Sequence, residues 1–294
     1  QRPRVFVGID APDFNFGLEA KLKAAGIPTV HFVSPSIWMW RPERIQRIKQ
    51  AASHMLVVFP FEEKIYQDAG IPVSYVGHPL ADVIPLEPDA AAARTALGLG
   101  SGPVFALLPG SRLSEVKRHA RLMLEAAQLI RQRYADAQFV LPAANAAAAD
   151  LVHQARTGLD LPLHVLSGQS HRALAACDVA LVASGTATLE TALFKKPMVI
   201  TYRVPALTAY LFRRKALLPW VGLPNILARD FVVPERVQEE ATADNLAADA
   251  LAWFDDETRR KAAVETFRAM HLSLRQNASL RIAEALAPYL EAGR

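Results

Sequence analysis

The chain has 294 residues, 51% of them hydrophobic and 21% charged, with a net charge of +4 and a pI near 9.3. That length suffices for two domains with cores of their own, and the mild basic excess suits an anionic substrate or an acidic membrane surface while arguing against nucleic acid as a partner. The single cysteine, Cys177, excludes an intramolecular disulfide and any cysteine pair for metal or redox chemistry, and reads as a small core residue beside Asp178. The sequence has neither a signal peptide nor an apolar run of about 18 residues or more.

Gln1, Arg2, Pro3 and Arg4 lead directly into an apolar strand at residues 5–9, with no methionine first and no earlier element to begin a sheet. The start therefore reads as lacking an upstream piece. From there strands at 29–33, 55–59 and 74–76 alternate with helices at 16–25, 42–53 and 61–69, the pattern of a parallel sheet. Residues 81–102 collect prolines, glycines and a short alanine-rich helix, which marks a linker. A first domain over 1–85 and a second over 86–294 follow, the first short of the roughly 100 to 150 residues usual for a domain. The second domain continues with a strand at 104–108, a helix at 117–134, strands at 138–142 and 163–166, a helix at 170–176 and strands at 179–182 and 198–201. Long helices at 242–254 and 256–286 close the chain, the last one able to return to the first domain.

Chemistry is expected where strands end. Ala183, Ser184, Gly185, Thr186, Ala187, Thr188, Leu189 and Glu190 follow an apolar run and carry a strand into a helix through small residues. Small side chains let a ligand approach the backbone, and the helix start offers unpaired N–H groups and a positive dipole end to an anion. Glu190, about one turn into that helix, could accept hydrogen bonds from ribose hydroxyls. A plainer reading is a helix capped by Ser184 or Thr186 with Glu190 solvated. The strand at 104–108 runs likewise into Pro109, Gly110, Ser111 and Arg112, and the planar guanidinium reads as an anion clamp. Its plainer reading is a surface arginine paired with Glu115. In the first domain the strand at 5–9 ends at Asp10, whose carboxylate should face the crevice, whereas Asp13 could equally cap the next helix. His78 also follows a strand; His31, His54 and His164 read as structural.

Trp38 and Trp40 sit on a loop after a strand, where exposed indoles would mark docking of something apolar and folded ones would cover the core. The stretch with Leu211, Phe212, Arg213, Arg214, Lys215, Leu217 and Trp220 mixes apolar and basic residues in the way of a surface that meets anionic lipid. A core helix with a basic edge is the competing account.

Five motifs in order, Gly8-Ile9-Asp10-Ala11-Pro12-Asp13-Phe14-Asn15, Ser34-Pro35-Ser36-Ile37-Trp38, Leu108-Pro109-Gly110-Ser111-Arg112, Ala183-Ser184-Gly185-Thr186-Ala187-Thr188-Leu189-Glu190 and Leu223-Pro224-Asn225, closely resemble the lipid-A-disaccharide synthases, bacterial glycosyltransferases. The resemblance spans essentially the whole chain. It implies a GT-B architecture, two Rossmann-like α/β domains with parallel sheets facing across a cleft, the N-terminal one incomplete here because family members carry an earlier segment with a glycine-rich loop. It implies transfer of 2,3-diacylglucosamine from its UDP form to 2,3-diacylglucosamine 1-phosphate, giving a β-1,6-linked disaccharide 1-phosphate and UDP. Asp10 and Arg112 would be catalytic. Ser111, Arg112, Ser184, Gly185, Thr186, Glu190 and Asn225 would hold UDP, and Asp13, Trp38, Leu211, Phe212 and Trp220 would meet acceptor or membrane.

Arg112 and the helix start near Ser184 would stabilise charge developing on the diphosphate while Asp10 takes a proton from the acceptor's 6-hydroxyl, which permits a single displacement with inversion. No Asp-x-Asp pair is present for a divalent ion, so neither metal nor cofactor is expected beyond the UDP-sugar substrate. Lipid substrates place the enzyme in the cytoplasm on the inner face of the inner membrane of a Gram-negative bacterium, and a homodimer stays open. A UDP-sugar epimerase of the same architecture, or an inactive UDP-binding fragment, are the alternatives.

Overall fold

A computed structural model describes residues 3–291 of the chain; Gln1 and Arg2, with which the sequence opens, lie outside the described residues. In chain order the elements are β1 (Phe6–Ile9), α1 (Pro12–Ala24), β2 (Thr29–Phe32), a 3-10 turn (Pro42–Arg44), α2 (Ile45–Ala51), β3 (His54–Val57), α3 (Glu62–Asp68), β4 (Val73–Tyr75), α4 (Pro79–Val83) and α5 (Ala90–Ala96). There follow β5 (Val104–Leu108), α6 (Leu113–Arg133), β6 (Gln138–Ala143), α7 (Ala146–Arg156), β7 (Leu163–Ser167), α8 (Ser170–Ala176), β8 (Val179–Ala183), α9 (Thr186–Leu193) and β9 (Met198–Tyr202). The chain ends through α10 (Ala206–Lys215), α11 (Leu223–Ala228), β10 (Glu235–Val237), a 3-10 turn (Gln238–Glu240), α12 (Ala243–Asp255), α13 (Glu257–Leu274) and α14 (Ala278–Glu291).

The chain forms two compact units. One takes the chain up to Val83, the segment Tyr210–Pro219 and the chain from Leu272; the other takes Ile84–Ala209 and Trp220–His271. In the first, four strands pair in parallel in the order β1-β2-β3-β4, which leaves β1 at an edge. Side chains alternate across this sheet. Met55 and Val57 face a core of Phe16, Ile48 and Tyr66, whereas Val30, Leu56 and Val76 face Ile282, Ala285, Leu286 and Tyr289 of α14. In the second unit six strands run in the order β10-β9-β8-β5-β6-β7, every pairing parallel. Its central strands β5 and β8 are buried at all five positions of each, which is why they read as unbroken apolar runs.

Several elements depart from the sequence reading, among them the strand β10 and the helices α4 and α11, which it did not contain. α1 begins at Pro12, with Pro at its first turn, rather than at residue 16. The helix α7, absent from that reading, is capped by the Asn145 side chain, which accepts the Ala148 amide at 2.9 Å. The single helix expected over 256–286 is two helices, broken where Asn277 takes a left-handed φ of 57° and Asp82 accepts the amides of Asn277 at 3.0 Å and Ala278 at 2.6 Å.

Candidate functional site

In the second unit the turn after β8 is open toward solvent. Gly185 caps α9 with φ 150° and ψ −163°, a region that glycine alone enters readily, and no side chain caps the helix start. Gly185 and Thr186 are exposed, so the first turn of α9 can receive an anion. Ser184 donates its hydroxyl to Val221 O at 2.7 Å, and Thr188 donates to Gly185 O at 2.8 Å while accepting the Leu223 amide at 3.3 Å. Ser184 thus braces the loop over residues 221–225 instead of capping α9. Glu190 is partly buried, and burial raises its carboxyl above the usual range, opposed by His171, whose Nε2 lies 3.6 Å away. The sequence reading passed over His171.

The turn after β5 makes the contact of the plainer reading. Arg112, its side chain 78% exposed, meets Glu115 Oε1 through Nη1 at 2.8 Å, and Glu115 Oε2 accepts the amides of Ser111 and Arg112 at 3.2 Å each. Partial burial opposes ionisation of Glu115, yet the guanidinium and these amides hold its carboxyl below the usual range. The carboxylate occupies the donors that an incoming phosphate would use. Arg112 remains exposed enough to turn to such a ligand.

Asn225 turns its side chain into the fold. It is fully buried, its Nδ2 donates to Val233 O and to Glu235 Oε1, both at 2.9 Å, and its Oδ1 accepts the Val233 amide at 3.0 Å. The side chain has both Nδ2 hydrogens and one acceptor position of Oδ1 engaged within the fold. Together with Glu235, which also accepts the amides of Val221 and Gly222 at 2.9 Å, it holds the 221–225 loop in place. Gly222 is required there, since a Cβ would lie 2.2 Å from Ile200 Cδ1.

In the first unit Asp10 lies at the carboxyl end of β1, exposed, as expected. The turn is strained: Asp10 has φ 48° and Ala11 φ 43°, two successive non-glycine residues in the left-handed region, at about 1–2 kcal/mol each. Asn15 offsets this by donating Nδ2 to Asp10 O at 2.8 Å and to Ile9 O at 3.2 Å. Asp13 does not cap α1; it sits inside the first turn and pairs with Arg44 at 3.1 Å. Beneath, Glu19 and His31 form a fully buried pair at 2.8 Å, and Gly8 makes room for it, because a Cβ would stand 1.9 Å from Glu19 Oε1.

Trp38 does not present a free indole. Its ring stands edge-on to Phe59 and Phe61, and its Nε1 donates to Glu62 Oε1 at 3.0 Å. Glu62, buried, also accepts the Phe59 amide at 3.0 Å, and burial pushes its carboxyl up to about 7 against these bonds. Burial likewise brings His78 down to about 4, against the pull of Asp82. His54 is structural, bonded to Tyr289 and Ser74. On α10, Leu207, Tyr210 and Leu211 are exposed at helical spacing beside Arg214 and Lys215, and Leu217 is exposed just beyond it, whereas Phe212 and Trp220 are half-buried. The Arg213 side chain lies outside what the structure describes.

A model of the lipid-A-disaccharide synthetase family matches residues 1–287. The chain belongs to this family. It is 76% identical over 294 residues to a lipid-A-disaccharide synthase of Thiobacillus denitrificans, an alignment covering all of this chain and 79% of the relative. Among solved structures, a UDP-N-acetylglucosamine 2-epimerase described as putative, from Listeria monocytogenes, superposes with a TM-score of 0.67 at 14% identity over 99% of this chain and 76% of that one. The Anabaena protein HepE, solved with UDP and glucose, does so with a TM-score of 0.56 at 18% identity over 92% and 75%. These likenesses are of fold, and the two parallel-sheet units are those of the GT-B class. Membership makes the chain a glycosyltransferase of lipid A biosynthesis. Among the described residues no helix is long and apolar enough to cross a membrane.

Proposed function

We propose that this lipid-A-disaccharide synthase moves 2,3-diacylglucosamine from its UDP form to the 6-hydroxyl of 2,3-diacylglucosamine 1-phosphate, releasing UDP and forming the β-1,6 disaccharide 1-phosphate with inversion. The observation that carries the chemical assignment is Asp10, an exposed carboxylate at a strand's carboxyl end, one residue ahead of the cap position of α1. It takes the proton of the attacking hydroxyl. Arg112 exchanges Glu115 for the diphosphate, and the uncapped start of α9 at Gly185 and Thr186 shares that charge as it develops. Ser111 contributes its amide, Ser184 braces the loop, and Glu190 holds ribose hydroxyls. These groups supply the charge stabilisation without a metal, and the rate is expected to be unchanged in EDTA.

Both lipids are held in a bilayer, and the exposed Leu207, Tyr210 and Leu211 with Arg214 and Lys215 suit an anionic membrane surface on the cytoplasmic side. The deciding experiment is product formation in detergent from the two lipid substrates, with Asp10→Asn and Arg112→Ala. Asp10→Asn should lose about 100-fold or more in kcat with UDP binding retained, and Arg112→Ala should lose both.

A further inference from the structure

An aspartate ahead of a helix ordinarily turns its carboxylate onto the first amides of that helix. Here the cap position falls to Ala11, which has no side-chain acceptor, and Asp10 stands one residue earlier in the left-handed region. What holds the chain there is Asn15, the first buried residue of α1, whose amide group spans the carbonyls of Ile9 at 3.2 Å and Asp10 at 2.8 Å. Its own backbone amide donates to Ala11 O at 3.0 Å, so all three residues of the turn are tied to one side chain and its peptide. The inward face of α1 spends Asn15 and Glu19 where apolar residues would pack more cheaply, which is the mark of a face kept for something besides packing.

We infer that Asn15 is a positioning residue for the transfer: its side-chain amide clamps the carbonyls of Ile9 and Asp10 and so keeps the Asp10 carboxylate off the start of α1 and available to the acceptor hydroxyl. The inference rests on Asp10 being the base. Without the clamp the turn relaxes, Asp10 moves toward the helix amides, and the proton acceptor is displaced from the attacking oxygen. Binding of either substrate does not pass through Asn15, so the loss belongs in kcat.

The test compares Asn15→Ala, Asp10→Asn, their double variant, and Asn15→Ala combined with Ala11→Gly, which removes the penalty of one left-handed residue without restoring the clamp. For each, kcat, the acceptor KM, UDP affinity and melting temperature are measured. Asn15→Ala should lower kcat by about 10- to 100-fold with KM and UDP affinity little changed. The double variant should be no slower than Asp10→Asn alone, because the two act through one group. Adding Ala11→Gly should recover melting temperature and leave kcat low. Full kcat in Asn15→Ala while Asp10→Asn is inactive overturns the role of Asn15 and leaves the base in place. Recovery of kcat along with melting temperature in the Ala11→Gly background reduces Asn15 to a stabilising residue and also overturns it. An active Asp10→Asn removes the base itself, and with it the inference.

Discussion

Each polar atom of the Asn225 side chain is used inside the fold, and this sets apart two roles that one motif allows. Asn225→Asp puts a carboxylate against Glu235, whose own carboxyl burial already raises, and takes away two donors. Breaking buried bonds to charged groups costs about 3 kcal/mol, so chemical denaturation should show a loss of that order, with UDP affinity falling as the loop loosens. Unchanged stability with weakened UDP would instead return Asn225 to the nucleotide. At this scale the sequence shows which residue types stand at strand ends and not where their side chains point. Asp10 and Arg112 stand exposed just after strand ends, the positions read for them from the sequence. For Trp38 the sequence leaves an exposed and a folded indole open, and for Asn225 it does not show the inward bonds, because their partners, Phe59, Glu62, Val233 and Glu235, lie outside the motifs that hold them. The Arg112–Glu115 pair is legible as the plainer reading of its turn, whereas no role is legible for Asn15 because its hydrogen bonds depend on turn geometry.

Around the ends of β3 and β4, Glu62 and His78 bias stability in opposite directions. The folded pKa of Glu62, about 7, lies above its ordinary value of 4.5, so folding takes up a proton between those pH values and stability falls as pH rises through them. For His78 the folded pKa, about 4, lies below the ordinary 6.5; there the unfolded chain binds the extra proton, and stability is lost as pH falls through that window. The two slopes overlap and offset each other in the native protein. Melting temperatures across pH 4 to 7.5 should therefore rise more steeply with pH in Glu62→Gln than in the native chain, since only the His78 slope is left; parallel curves would mean that folding leaves the Glu62 carboxyl at its ordinary value. Most of the elements near this site were legible, since strands buried on both faces are apolar runs and the helices between them fill regular gaps. The break at Asn277 was not, because it depends on Asp82 reaching across from α4, and α7 was hidden by an alanine-rich start with no apolar period.

Across the whole molecule the chain leaves its first unit after Val83, rejoins it over Tyr210–Pro219 and comes back to it again from Leu272. The sequence reading left open a return of the last helix to the first domain; amphipathic spacing marks α14 as a helix with one face to bury, but does not say which strands receive it. The receiving surface is Val30, Leu56 and Val76, and the Tyr289 hydroxyl meets His54 at 3.1 Å across a sequence separation of 235 residues. Each large apolar side chain covered there is worth up to about 1.5–3 kcal/mol, and three or four of them approach the whole stability of an ordinary domain, about 5–15 kcal/mol. Removing residues 278–294 should therefore melt the first unit well below the intact protein and abolish transfer. UDP binding should persist, because Ser184, Gly185, Glu190 and Arg112 all belong to the unit over Ile84–Ala209 and Trp220–His271. Calorimetry of the shortened chain beside a UDP titration reads both: an early transition with UDP affinity retained is expected, whereas joint loss of both would mean that the two units fold as one.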